Sequence, residues 1–362
     1  MFFPYTKRRD YVVGKIRPHI HIVLQYGIFI FSLIYFVILT CWMPISLREH
    51  YTYGRGTPQK ILVKTGQTGS DVAWMIFKEG LVNNPKDLIF WMLKLKVDRS
   101  IKPGIYIIKP GTPWEIAKQL ERAKPITEKV TLYPGKNLKE LQVYFKTNYG
   151  EDFLNELKKN ENFPSNIRDK LPERVESRIA FLLPDTYYVI PEEGYSSQVI
   201  KAASNAWYNI VVRTIGESHL NKDYLLKAAT VASLVEKEAA KEEEKKIIAG
   251  VIYNRLNKGM PLQVDATVIF AWNERGIKLN RVLYKHLKIR SPYNTYLFKG
   301  LPPGPICVPS SKSWIAAIQP GKHSYLYYVA QKNGSHIFSE SYEKHLKAIK
   351  KRNKERKTEG NK

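Results

Sequence analysis

The sequence predicts an α+β protein: one membrane-crossing helix near the N-terminus, small α/β units after it, and a mostly helical domain with strand insertions. Three observations carry this expectation. Residues 22–43 are apolar and uncharged, a strand–glycine turn–helix pattern appears three times between residues 61 and 145, and helical periodicity dominates after residue 221. The chain has 362 residues, 44% hydrophobic and 25% charged, which supports about two domains and excludes a wholly disordered or fibrous protein.

The run IVLQYGIFIFSLIYFVILTCWM (22–43) would rise about 33 Å at ~1.5 Å per residue, matching a hydrocarbon core. Lys7, Arg8, Arg9, Lys15 and Arg17 precede it against Asp10 alone. The positive-inside bias then makes residues 1–21 a basic cytoplasmic N-terminus and puts everything beyond the span outside the cytoplasm. Thr40-Cys41-Trp42 lacks the small-x-small pattern of a cleavage site, so the span reads as retained. Residues 44–60 form a polar stalk.

Beyond the stalk, ILVKTGQTGSDVAWMIFKEG, GIYIIKPGTPWEIAKQL and KVTLYPGKNLKELQVYF repeat one pattern. Thr112, Pro113 and Glu115 give an N-cap, a first-turn proline and a capping box, and Asn137 with Glu140 gives the related signal. Such units are too small to hold much core alone and are expected to pack on one another. PKDLIFWMLKLK (85–96) is an additional helix, with too many charges for a span. The boundaries read as a small α/β module at 61–125, a second small α/β unit with linker at 126–172, a helical domain at 173–346, and a basic tail at 347–362. The longest helix starts near Asn221 or Asp223 and runs to the Asn254-Arg255 pair, with a break around Ala240.

The formal net charge of +25 calls for an anionic partner without choosing among nucleic acid, lipid headgroups and wall polymers. No nucleotide-binding, metalloprotease or serine-hydrolase motif is present, and two cysteines, Cys41 and Cys307, cannot build a Cys-based metal site. No metal, cofactor or nucleic-acid partner is therefore expected.

Carboxylate chemistry remains. Glu236 follows Ala229 and Ala232 on one helix face, with Leu225 further back. Burial among such neighbours would raise its pKa and prepare it as a general acid, whereas pairing with Lys237 or Lys241 would make it an ordinary ion-paired glutamate. Glu238 points about 200° away around the helix. Gln263, Asp265 and Thr267 alternate along what reads as an extended strand, aiming them to one side. Ser291, Asn294 and Thr295 follow in a turn-rich stretch, before the rigid Pro302-Pro303-Gly304-Pro305 segment. Asn254 reads equally as a helix cap or a ligand group, and Asp265 as a turn or a ligand group.

LLPDTYYV (182–189), ASLVEKEA (232–239), GVIYNRLNKGMPLQVDATVIF (250–270), SPYNTYLFKGLPPGPI (291–306) and GSHIFS (334–339) occur in the order found in endolytic murein transglycosylases, and the chain resembles that family over nearly its whole length. The resemblance implies a LysM-like module at 61–125 and a transglycosylase domain at 173–346. The substrate would be the MurNAc-β-1,4-GlcNAc bonds of nascent peptidoglycan, cleaved to leave 1,6-anhydroMurNAc ends. It implies Glu236, the first glutamate of V-E-K-E, as catalytic acid. The glycan-facing residues would be Asn254, Gln263, Asp265, Thr267, Ser291, Tyr293, Asn294 and Thr295, with Asp185 and Tyr187 in the cleft wall. The expected setting is the bacterial inner membrane, with peptidoglycan strands, membrane lipid and peptidoglycan synthases as partners. The chain departs from the family pattern at Ile179-Ala180, Ala239, Val264 and Ala266, which keeps a catalytically impaired, membrane-anchored peptidoglycan-binding scaffold as the alternative.

Overall fold

The computed structural model describes residues 26–37, 56–191, 193–216 and 220–359. Residues 26–37 are helical (α1) and exposed along their length. The remainder of the expected 22–43 span lies outside the described residues, as does Cys41. Among the described residues no helix is long and apolar enough to cross a membrane. Two compact units follow, divided between Ile126 and Thr127.

The first unit runs β1 (Gln59–Val63), α2 (Gly69–Lys78), α3 (Pro85–Lys94), β2 (Gly104–Ile108) and α4 (Pro113–Arg122). The strands pair antiparallel with Ile61 opposite Tyr106. Each helix starts where its first-turn N–H groups find a side-chain acceptor: Thr68 with Asp71, Asn84 ahead of Pro85, and Thr112 with Glu115 behind Pro113. Val72, Ile76, Leu88, Met92, Ile116 and Leu120 close over the inner face of the strand pair as a separate core.

The second unit contains β3 (Glu128–Thr131), α5 (Leu138–Tyr149), α6 (Phe153–Lys158), β4 (Thr186–Val189), α7 (Tyr195–Ile215), α8 (Lys222–Glu238), α9 (Lys245–Asn257), α10 (Asp265–Glu274), α11 (Ser311–Ile318), the hairpin β5 (Tyr327–Ala330) and β6 (His336–Ser339), and α12 (Tyr342–Glu359). The third strand–turn–helix pattern does not join the first two. Its strand β3 pairs antiparallel with β4, Val130 opposite Tyr187, and Leu141 and Phe145 of α5 sit in the second unit's core. That core offers far more apolar surface than a strand and a helix could bury against another small unit.

Helix α8 is the axis of this unit. Every residue from Ala228 to Val235 is buried, so the helix is wrapped on all sides instead of carrying one apolar stripe. Phe181, Trp207 and Trp314 cluster nearby, Trp314 meeting the other two rings edge-to-face, and the Trp314 indole donates to the Ala180 carbonyl at 2.9 Å. Ile179 and Ala180, which depart from the family pattern, belong to this core. The long expected helix stops at Ala239, whose backbone turns extended, and resumes as α9 after a short 3-10 turn at Glu242–Glu244. Glu238 is thus the last residue of α8, with a chain reversal beside it.

Candidate active site

The V-E-K-E segment puts its two glutamates into opposite environments. Glu236 faces the start of α11. Its Oε2 accepts from the Ser310 N–H (3.0 Å), the Ser310 hydroxyl (2.6 Å), the Ser313 hydroxyl (2.5 Å) and the Lys245 ammonium (3.1 Å). Only 11% of its side chain and 8% of that of Lys245 are exposed. Burial pushes this carboxyl upward, but the two serines, the backbone N–H and Lys245 together outweigh it and hold the group below its ordinary 4.5. The N-terminus of α11 favours the same charge. The sequence-based expectation of an acid kept protonated by a greasy wall is therefore corrected: Glu236 sits in a cage built for a carboxylate. Lys245 also lies 2.9 Å from the Ser310 hydroxyl, but that hydroxyl spends its hydrogen on Glu236, so the cluster holds no activated serine.

Glu238 has the properties expected of Glu236. It is partly exposed, and its Oε2 accepts one side-chain hydrogen bond, from the Tyr328 hydroxyl of β5 at 2.9 Å. Burial pushes its carboxyl above the ordinary 4.5, and the charge of Asp265 adds to that push. The Tyr328 hydrogen bond and the neighbouring His336 and Arg255 act the other way without cancelling it. Its place at the C-terminal end of α8 disfavours the carboxylate further.

The surroundings of Glu238 are fastened from several directions. Arg255 on α9 donates to the carbonyls of Leu326 (2.6 Å) and Leu262 (2.7 Å) and lies 5.3 Å from the Tyr327 ring. Asn254 donates to the His323 and Tyr325 carbonyls at 2.8 and 3.0 Å, so its amide holds the chain entering β5. At Gly250, one turn back on α9, a Cβ would collide with the Gly321 carbonyl and the His323 ring, which is why α9 can lie so close to that segment. The Tyr296 hydroxyl donates to Asp265 at 2.5 Å.

Of the other expected glycan residues, several point inward. Asp265 opens α10 instead of lying on a strand, Gln263 takes a left-handed φ of 53°, and the expected alternation is lost. Gln263 and Asp265 are exposed, whereas Thr267, Thr295 and Asn294 are buried. The Thr267 and Thr295 hydroxyls bond each other at 2.9 Å and tie α10 to the 291–296 turn through the Val264 N–H. Asn294 closes that turn by donating to the Leu287 and Ile289 carbonyls. Ser291 accepts from the Tyr293 N–H, and Tyr293 instead lines a cleft of about 200 Å³ with Arg174, Glu176, Phe270 and Glu274. Asp185, just before β4, is exposed, and Tyr187 on β4 donates to the Leu183 carbonyl at 2.6 Å. Tyr328, Tyr296 and His336 were missed as site residues. Two of them stand in quoted motif segments, Tyr296 in SPYNTY and His336 in GSHIFS, but nothing local marks which side chains converge.

Comparison with known proteins places this arrangement in context. The model of the YceG-like family matches residues 61–351. The chain belongs to the YceG-like family. A Bacillus subtilis (strain 168) protein named endolytic murein transglycosylase is 32% identical over 327 residues, covering 84% of this chain and 88% of that protein. A Streptococcus pneumoniae R6 protein of the same name is 31% identical, and the match covers 82% of this chain but only 57% of the longer relative. A crystal structure of a YceG-like protein from Listeria monocytogenes superposes with a TM-score of 0.50 at 28% identity, covering 81% of this chain and all of that one. Within this YceG-like chain, Val264, another departure from the pattern, is buried at the N-cap of α10, and Ala239 caps α8 beside Glu238. Among the described residues no cluster of His, Cys, Asp and Glu could hold a metal ion. Cys307 is buried, with its thiol pushed upward by that burial.

Proposed function

We propose that this chain is an endolytic lytic transglycosylase of peptidoglycan, and that Glu238, not Glu236, supplies and recovers the proton. The single observation carrying the assignment is geometric: Glu238 ends α8 partly exposed, with its Oε2 accepting one side-chain hydrogen bond from the Tyr328 phenol, whereas Glu236 is locked by four donors. Burial and the charge of Asp265 push the Glu238 carboxyl upward in support. The relatives' shared name supports the reaction class.

In this reading the protonated Glu238 gives its proton to the oxygen bridging MurNAc C1 and GlcNAc C4. The C1–O bond breaks, and the GlcNAc side leaves as an alcohol. The muramyl C6 hydroxyl then bonds to C1, and its proton passes to the Glu238 carboxylate, restoring the acid. No water is consumed. The intramolecular nucleophile has a high effective concentration, so no second carboxylate is needed to activate water. In the same reading, the exposed Asp265 at the start of α10 favours positive charge building on the sugar ring.

The apolar 22–43 segment and its basic flank support an inner-membrane tether with the second unit outside the cytoplasm. The strand pair and helices of the first unit, with Trp74, Phe77 and Trp114 exposed, support a LysM-like glycan-holding role. Membrane lipid and peptidoglycan synthases are the neighbours this setting implies.

The test compares Glu238→Gln with Glu236→Gln on isolated glycan strands, reading anhydromuramyl ends by mass spectrometry. E238Q is expected to lose at least about 100-fold in product formation. E236Q should retain product formation per folded molecule. Loss of activity in E236Q at full fold, with E238Q active, would return the role to Glu236.

A further inference from the structure

The two oxygens of Glu238 are not equivalent. Oε2 is engaged by the Tyr328 hydroxyl, while no hydrogen bond to Oε1 is found among the described residues. The phenol is itself held. Tyr328 stands opposite Phe338 in the β5–β6 pair, and the His336 ring meets it edge-on at 5.3 Å. His336 is tied to Glu244 through both its backbone N–H (2.8 Å) and its ring Nδ1 (2.7 Å). Asn254 and Arg255 fasten the chain on the near side of the same strand.

We infer that Tyr328 is a positioning residue that divides the labour of the Glu238 carboxyl, occupying Oε2 so that Oε1 is the oxygen that gives and takes back the proton. The inference rests on the reading of Glu238 as the acid. Its consequence is twofold. A fixed Oε1 keeps the proton aimed at the bridging oxygen, which affects turnover more than binding. The phenol also steadies the carboxylate that exists after proton transfer, opposing burial and Asp265 and keeping Glu238 able to act as a base in the second half. Among the described residues, the other titratable or charged groups whose charge or dipole bears on Glu238 are Asp265 on α10, Arg255 on α9, His336 on β6, and Tyr296, whose hydroxyl is committed to Asp265.

The experiment follows kcat and KM against pH on isolated glycan strands for the full chain in detergent. Tyr328→Phe removes a bond that favours the charged form, so the alkaline limb of the kcat profile should move to higher pH. Its plateau should fall about tenfold or more while KM changes little. A 3-fluorotyrosine placed at 328 alone, a stronger donor, should move the limb the opposite way, and this variant keeps the test open if Y328F fails to fold. Val329→Ala weakens the same strand without touching the hydroxyl and should lower thermal stability while leaving the limb in place. Limbs shifting in opposite directions with the two Tyr328 changes, and not with V329A, support the inference. An unmoved limb in the Tyr328 variants, or an equal shift in V329A, overturns it. If E238Q stays fully active, the Glu238 reading itself falls; if E238Q is dead and the Tyr328 variants match wild type, only this inference does.

Discussion

At the scale of single residues, Glu236 and Glu238 have opposite linkage to pH. The folded state holds Glu236 below its ordinary 4.5, so its contribution is present above that value and is lost as pH falls through the lowered folded value. Glu238 is held above 4.5, so the folded state loses stability as pH rises from there through the raised value. E236Q should therefore flatten the acid side of the stability–pH curve. At neutral pH it should lower unfolding free energy by about 3 kcal/mol, because Lys245 is left buried without its charge partner. E238Q should melt at or above the wild-type temperature at neutral pH, since it removes a desolvated carboxyl. Denaturant titrations at pH 4 and pH 7 check both, and an E236Q curve parallel to wild type would contradict the cage described for Glu236. The sequence already showed that the two glutamates lie on different faces of one helix. It did not show which face holds the raised carboxyl, because the deciding partners are distant: Ser310 is 74 residues from Glu236 and Tyr328 is 90 from Glu238. An apolar helical neighbourhood cannot reveal a caged carboxylate when the cage comes from another helix.

At the scale of elements, the legible parts were those with local causes. The caps at Thr112 and Asn137 and the break after α8 follow from side chains within a few residues, as does the Thr68 cap that the structure adds. The strand expected for Gln263–Thr267 failed because a two-residue alternation also fits an irregular segment that turns into a helix. Here Asp265 opens α10, and the buried Thr267–Thr295 bond makes the 291–296 turn part of that helix's footing. The third strand–turn–helix pattern was likewise correct locally and misplaced globally, since pairing of β3 with β4 is a long-range choice. The close approach of α9 to the segment before β5 yields a prediction of its own. Gly250→Ala forces a Cβ against the Gly321 carbonyl, which cannot rotate away, and should cost about 1–3 kcal/mol. Because that segment leads into the strand bearing Tyr328, turnover should fall as well. Urea unfolding with a parallel turnover assay would measure both, and unchanged stability would show that the two segments can part without cost.

For the molecule taken entire, each unit has its own buried cluster, and among the described residues the two clusters share no member. Folding cooperativity is carried by shared buried surface, so units with separate cores are expected to unfold separately. The first unit has the smaller core and should melt first, because the fraction of surface buried falls with size. Ile76 is fully buried in that first core, and Ile76→Ala removes its side-chain contacts without touching the second. Calorimetry of the full chain in detergent should show two transitions. I76A should move only the lower one, by an amount corresponding to about 2–5 kcal/mol. The rate of glycan cleavage per folded second unit should hold, while any contribution of the first unit to glycan binding is lost above the lowered transition. If one unit serves to keep glycan near the other, its unfolding raises the glycan concentration needed for half-maximal rate without lowering the maximal rate, because a tethered contact acts through local concentration. A single transition displaced as a whole by I76A would mean instead that the two units are one folding body, and the division at Ile126 and Thr127 would have no thermodynamic meaning.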